Sequence, residues 1–77
     1  MTLIATIKTE NEKVRFAIHK RDDGMFSIEE ERYQAGDEYT GPYWNFDQVG
    51  LFGSVDDVNE WLATVSPKTT EKFVQPN

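Results

Sequence analysis

The sequence predicts an α+β fold: an antiparallel sheet of three to four strands, with one helix from the C-terminal half of the chain packed on one face. Three observations lead to this expectation. Apolar and polar residues alternate along several short segments, a strong turn signal separates two of those segments, and a capped amphipathic segment follows Ser54. Because 77 residues supply only one small core, we expect residues 1–66 to form a single α+β domain.

The first two predicted strands are "LIATIKTE" and "KVRFAIHKR", joined by a polar turn around Asn11. The first is expected at an edge of the sheet. The second alternates more regularly and places Val14, Phe16 and Ile18 on one face. The sequence therefore predicts that this face of the second strand points into the core.

A hairpin is predicted between the second strand and "MFSIEEERY". The intervening Asp-Asp-Gly suits a type I turn followed by a bulge, in which Gly24 takes a positive φ. This loop length places Ile18 opposite Ile28, and Arg15 opposite Glu31 on the solvent face. By the same count Glu30 and Arg32 fall on the buried face, so either the core fades toward this end or a bulge shifts the register.

The fourth predicted strand, "YWNFDQVGLF", leads into the helix. Trp44 and Phe46 lie on the same face of this strand, and we expect them to complete the core against Trp61 and Leu62 of the helix. The alternative is that these rings face a partner.

The helix is predicted over residues 54–65. Ser54 is a strong N-cap residue, and Asp57 stands three residues after it, as in an acidic capping box. Five apolar residues recur with helical spacing and form one stripe: Val55, Val58, Trp61, Leu62 and Val65. Pro67 is expected to end the helix. The tail, residues 67–77, is expected to form either a short strand through Phe73 and Val74 or a disordered end.

The charge of the chain is concentrated in its middle. Residues 29–60 hold nine acidic residues and a single basic residue, Arg32, whereas the flanking segments are each weakly positive. Such a field repels nucleic acid and phospholipid surfaces and attracts a basic protein surface. The alternative is that these acids only keep a small protein in solution.

Catalytic and cofactor motifs are missing from the sequence. His19 is the only histidine and the chain has no cysteine, so no nucleophile pair or usual metal site is predicted. Glu29 and Glu31 share a strand face, but two carboxylates without a concave site do not make a hydrolase. We therefore expect a protein that is not an enzyme and that uses no metal or cofactor.

A partner-binding site is predicted in and around "EYTGPYWNF". Two tyrosines flank its Gly-Pro turn, and a tyrosine in such a place can bury its ring while its hydroxyl reaches a partner. Acidic side chains next to these rings suit a protein surface rich in Arg or Lys. The predicted partner-binding residues are Glu29, Glu31, Asp37, Glu38, Tyr39 and Tyr43.

The stretch "FGSVDDVNEWL", after a strand-rich and acidic first half, resembles the layout of several small phage anti-CRISPR proteins. The resemblance implies a non-enzymatic inhibitor that occupies the positively charged surface of a nucleic-acid-guided host complex. The arrangement from "RDDGMFSIEEE" to "GLFGS" is also similar to short uncharacterised bacterial proteins, to which no activity is attached.

Two classes of function follow. The first is a cytoplasmic, acidic protein-binding module that docks on a basic partner, most concretely a phage-type inhibitor of a nucleic-acid-binding complex, without touching nucleic acid or a membrane itself. The alternative is a small bacterial domain that binds a metabolite or serves as a subunit of a larger assembly.

Overall fold

The computed structural model describes residues 1–75. It contains one antiparallel sheet with the strand order β1-β2-β3-β4 and one helix after the last strand. The elements are β1 (Thr2–Lys8), β2 (Val14–Lys20), β3 (Phe26–Gln34), β4 (Tyr43–Phe52) and α1 (Val55–Leu62). The predicted α+β class, with a four-stranded sheet and a single late helix, is confirmed.

The β2–β3 hairpin has the predicted register. Ile18 pairs with Ile28, and Arg15 pairs with Glu31. At the turn, the amide of Gly24 donates to the carbonyl of Arg21 at 3.0 Å, and Gly24 has a φ of +86°. Since no register shift occurs between β2 and β3, the turn chemistry and the apolar pattern were sufficient to fix this pairing.

The core lies between one face of the sheet and the helix. Val58 and Leu62 of α1 are buried against apolar side chains that point from the sheet toward the helix. The sheet residues of this core cluster are Ile7, Val14, Phe16, Ile18, Phe26 and Ile28. We call this side the core face, and the opposite, uncovered side the open face.

The helix begins where the sequence predicts and ends earlier. The Ser54 side chain accepts a hydrogen bond from the amide of Asp57 at 3.1 Å, which confirms the N-cap. The last helical residue is Leu62, and Ala63 is the C-cap. Val65 therefore lies outside the helix, although it still packs against the core.

The expectation for Trp44 and Phe46 is wrong. The β3–β4 register shifts between two neighbouring pairs, Ile28 with Gly50 and Glu29 with Gln48. Val49 lies between Gln48 and Gly50 without a partner in β3, so it is the extra residue of a bulge in β4. Before the bulge, Trp44 and Phe46 pair with open-face residues of β3, and Phe46 remains 60% exposed.

Phe52, which follows the bulge, occupies the core position instead. Its ring lies 5.7 Å from that of Trp61, which also makes an edge contact with Phe16 at 5.2 Å. Because of the bulge, β4 contributes Phe52 to the core in place of Trp44 and Phe46.

The segment after the helix packs onto the domain. Thr69 forms an isolated antiparallel bridge with Thr9, just beyond β1. Phe73 is buried in the core and meets Phe26 edge-on at 5.5 Å. Asn59 holds this residue in place, because its side chain bonds both the amide and the carbonyl of Phe73 at 2.8 Å.

No strand forms at Phe73 and Val74; the described part of the segment is instead anchored by a bridge, three side-chain hydrogen bonds and one buried ring. The last two residues of the predicted tail, 76 and 77, lie outside the described part of the chain.

Candidate protein-binding arm

The far end of the β3–β4 hairpin, residues 34–43, extends past the last residue pair of β2 and β3, Val14 with Arg32. We call residues 30–47 the arm and residues 35–42 its tip. The molecule is accordingly elongated, with principal extents of 43 × 25 × 20 Å. On the core face of the arm, Glu30 pairs in register with Asp47, and Arg32 pairs with Asn45.

Polar residues thus replace apolar ones where the core face enters the arm. Glu30 and Arg32 form an ion pair with each other there. We gave two explanations for polar residues at these core-face positions, a core that fades toward this end or a bulge that shifts the register. The core fades here, because the β2–β3 register is not shifted.

The tip is held by Asp37 and Gly36. One carboxylate oxygen of Asp37 accepts hydrogen bonds from the amides of Tyr39 and Thr40, both at 2.8 Å, and the Asp37 amide donates to the carbonyl of Thr40. The bond from the Thr40 amide, followed by that from Tyr39, lowers the pKa of Asp37 below its ordinary value of 3.8. Gly36 has a φ of +77°, and a Cβ there would overlap the Thr40 carbonyl. The tip is thus a defined turn with an ionised carboxylate at neutral pH.

Four of the six predicted partner-binding residues lie together at this end of the arm. Asp37, Glu38 and Tyr39 belong to the tip, and Tyr39 is 89% exposed. Tyr43 begins β4 opposite Gln34 and is 43% exposed. The arm therefore brings two tyrosines and two carboxylates to one solvent-exposed end of the molecule.

Glu31 lies apart from that group and is only 8% exposed. It was expected on a solvent-facing surface, and it does lie on the open face, where it forms the predicted ion pair with Arg15. The Arg15 guanidinium also stacks 3.8 Å above the ring of Trp44, and Trp44 meets Tyr33 edge-on at 5.6 Å. The ion pair and the stacked rings therefore connect β2, β3 and β4 at the base of the arm.

Glu29 directly precedes the arm in β3 and lies nearer the middle of the open face. It pairs with Gln48 and lines a cavity of about 250 Å³ together with His19. The structure therefore separates Glu29 from the tip residues.

Sequence reasoning missed two residues that the arm presents to solvent. Phe46 was assigned to the core, and Asp47 was not selected at all. Asp47 has no ion-pair partner within residues 1–75, and the same holds for Asp37 and Glu38. The signal for Asp47 was its place in an aromatic strand, next to Phe46.

A separate groove of about 400 Å³ runs beside the helix. It is lined by Leu51, Phe52, Gly53, Asp57, Glu60, Trp61 and Thr64. The half-buried ring of Trp61 forms part of its wall, and two carboxylates stand on the helix side. The acidic middle of the sequence is thus divided between the arm and this helix groove.

Two further observations concern the chemistry of the described residues. No group of three or more His, Cys, Asp or Glu side chains among them is placed to hold a metal ion. None of their helices has the length and apolar character needed to cross a membrane.

Comparison of the chain with protein-family models, curated proteins and solved structures finds no match.

Proposed function

We propose that the protein is a non-enzymatic binding module whose arm docks on a basic protein surface. The observation that carries this proposal is the concentration of unpaired carboxylates and exposed rings on one projecting hairpin. Asp37, Glu38 and Asp47 lack ion-pair partners among residues 1–75, and Tyr39 and Phe46 are the rings most exposed beside them.

Each kind of side chain has a distinct part in docking. The unpaired carboxylates attract a basic surface over distances of about a Debye length, roughly 8 to 10 Å, and so raise the association rate. The tyrosine and phenylalanine rings supply contact area that is desolvated in the complex and slow dissociation. Because the tip turn is already ordered by Asp37, little conformational entropy is lost on binding.

The partner class we propose is a protein that handles nucleic acid and carries a basic surface for that purpose. An acidic arm that occupies such a surface competes with the phosphate backbone, which is how a small phage-type inhibitor would act. The net charge of −6 makes direct nucleic-acid binding unfavourable, so competition through the protein is the consistent mechanism.

Site-specific photo-crosslinking tests the proposal. A benzophenone side chain is placed at Tyr39 and, as a matched control, at the exposed Glu71. Each protein is irradiated in a lysate of the cells in which it is naturally made, and the adducts are identified by mass spectrometry. We expect an adduct at Tyr39 with a protein of basic surface, and its loss when Glu38 and Asp47 are changed to Lys.

The same adducts from both positions, or no adduct at Tyr39, would contradict docking through the arm. An adduct at Tyr39 that survives the two Lys substitutions would contradict the electrostatic part of the proposal.

The helix groove favours a second candidate function, binding of a small metabolite. Its volume of about 400 Å³ falls within the range of small-molecule sites, about 300 to 1,000 Å³. A metabolite that stacks on Trp61 would change that residue's fluorescence, which can be followed in a Trp44→Phe background. Ligand-induced quenching there, with no adduct at Tyr39, would favour this candidate over the first.

A further inference from the structure

The outer edge of β4 is unpaired along its length. β4 is the longest strand, with ten residues, and it stands at the end of the strand order. Within residues 1–75, its backbone hydrogen bonds go only to β3, and no side chain bonds to it. Most of its residues are exposed. A row of backbone donors and acceptors therefore faces solvent at this edge.

The opposite edge of the sheet is partly covered. The carbonyl of Lys8 at the end of β1 accepts a hydrogen bond from the amide of Thr70, and the amide of Glu10 donates to Lys68, both at 2.9 Å. The C-terminal segment therefore covers part of the β1 edge and leaves the β4 edge open.

β4 also lacks most of the features that protect an edge strand from pairing. It contains no lysine, arginine or proline, and its single charge is Asp47. Its one protective feature is the bulge at Val49, which leaves residues 43–48 as a regular stretch. This stretch belongs to the arm, so the open edge and the proposed docking site coincide.

The two faces beside this stretch differ in chemistry. Trp44 and Phe46 lie on the open face, whereas Asn45 and Asp47 lie on the core face, where Asp47 is next to Glu30 across the hairpin. A strand placed against the edge would have its side chains alternate between these two surroundings.

We propose that the partner contributes an extended segment that adds a fifth strand to β4, with apolar residues toward Phe46 and basic residues toward Asp47. Main-chain hydrogen bonds would hold the segment, and the alternation of the two faces would select it. This inference rests on the proposed function and specifies how the arm engages its basic partner.

The negative net charge of the chain favours a basic partner segment over a second copy of the chain at this edge. A second β4 would bring another molecule of net charge −6 to the same edge, with its own Asp47 and its own acidic tip. Like charges at an interface oppose association, whereas a basic segment is attracted. The edge is therefore complementary to a foreign basic strand.

The probe for this inference is a capped peptide, acetyl-Lys-Val-Lys-Phe-Lys-Val-amide, titrated to millimolar concentration into 15N-labelled protein. A peptide with the same composition in the order Lys-Lys-Lys-Val-Phe-Val is the matched control, because it lacks the alternation. Amide hydrogen exchange is measured for every strand. We expect the alternating peptide to slow exchange in residues 43–48 and not in β1, and the control peptide to bind about tenfold more weakly.

Asp47→Lys should weaken the alternating peptide by about tenfold, since it reverses the one charge of the strand. The inference is overturned by equal binding of the two peptides, by no binding, or by protection of β1 instead of β4. Protection of β4 that rises with protein concentration in the absence of peptide would assign the edge to a second copy and would also overturn it.

The outcomes separate this inference from the proposed function. Crosslinking at Tyr39 together with an unprotected β4 edge would leave arm docking in place and refute strand addition. A protected β4 edge without any crosslinked protein would support strand addition and refute arm docking.

Discussion

Gly36 shapes the tip of the arm through its backbone conformation. Its φ of +77° is rare for residues with a side chain, and a Cβ would also overlap the Thr40 carbonyl. We predict that Gly36→Ala lowers the free energy of unfolding by about 1 to 3 kcal/mol. Gly41→Ala is the matched control, because a Cβ at Gly41 meets no atom within 4 Å. Equal denaturation midpoints for the two variants would show that the tip is not built as described.

Asp37 makes the order of the tip dependent on pH. Its pKa is lowered by the amides of Thr40 and Tyr39, so the ionised carboxylate stabilises the folded tip above the unfolded-state pKa. This contribution is lost as the pH falls through the lower, folded-state pKa. We predict that amide exchange at Tyr39 and Thr40, corrected for its intrinsic pH dependence, becomes less protected with a midpoint below pH 3.8. Asp37→Asn should abolish this transition, and a transition that persists in that variant would assign it to another group.

Among the elements, the helix owes its position to two buried residues. Leu62 is 3% exposed and Val58 is fully buried, whereas Trp61 is only half-buried at the wall of the groove. We predict that Leu62→Ala costs about 2 to 5 kcal/mol of stability and that Trp61→Ala costs less. Chemical denaturation of both variants measures the difference. A larger loss for Trp61→Ala would mean that its edge contact with Phe16 outweighs the buried Leu62 side chain.

The strands show which parts of the fold the sequence could specify. The β2–β3 pairing was predictable because the Asp-Asp-Gly turn fixes a register that the apolar pattern also requires. The facing of β4 was not, because Trp44, Phe46 and Phe52 have the same parity in the sequence. Only the extra residue at Val49 places Phe52 on the core face and the other two on the open face. No turn or glycine pattern in the strand announces that bulge unambiguously.

For the candidate site, the sequence identified the composition of the tip but not the surroundings of each carboxylate. Asp37, Glu38 and Tyr39 follow from a polar, aromatic loop. The buried Glu31 pairs with Arg15, over which the ring of Trp44 stacks in a contact between β4 and β2 across β3. This contact between non-adjacent strands forms only because Trp44 lies on the open face. We expected Trp44 in the core, so the contact was not predicted.

At the scale of the whole molecule, the C-terminal segment closes the core. Phe73 is 1% exposed and its backbone is bound by Asn59, whereas the next residue, Val74, is 76% exposed. We predict that Phe73→Ala lowers stability by about 3 to 5 kcal/mol, a large share of what a domain of this size possesses, and that Val74→Ala has little effect. Thermal unfolding followed by circular dichroism compares them. Similar melting temperatures would mean that the segment contributes nothing to the core.

The distribution of charge over the whole molecule leads to the central claim, that the arm is a docking surface. Reversing Glu29, Glu38 and Asp47 to Lys changes the charge of the arm and the adjoining open face; Asp37 is left intact because it holds the tip turn, and Glu31 because it pairs with Arg15. The control reverses three exposed acids elsewhere, Glu10, Asp22 and Glu71. Exposed charges contribute little to folding, so both variants should remain folded.

The most direct measurement is the association rate of each variant with the protein crosslinked at Tyr39, recorded at several salt concentrations. The arm variant should associate at least tenfold more slowly than the unmodified protein at low salt, and the difference should shrink as salt is added. The control variant should retain most of its rate. Equal slowing of the two variants at every salt concentration would contradict the claim, because the acidic residues would then act only through the net charge of the molecule.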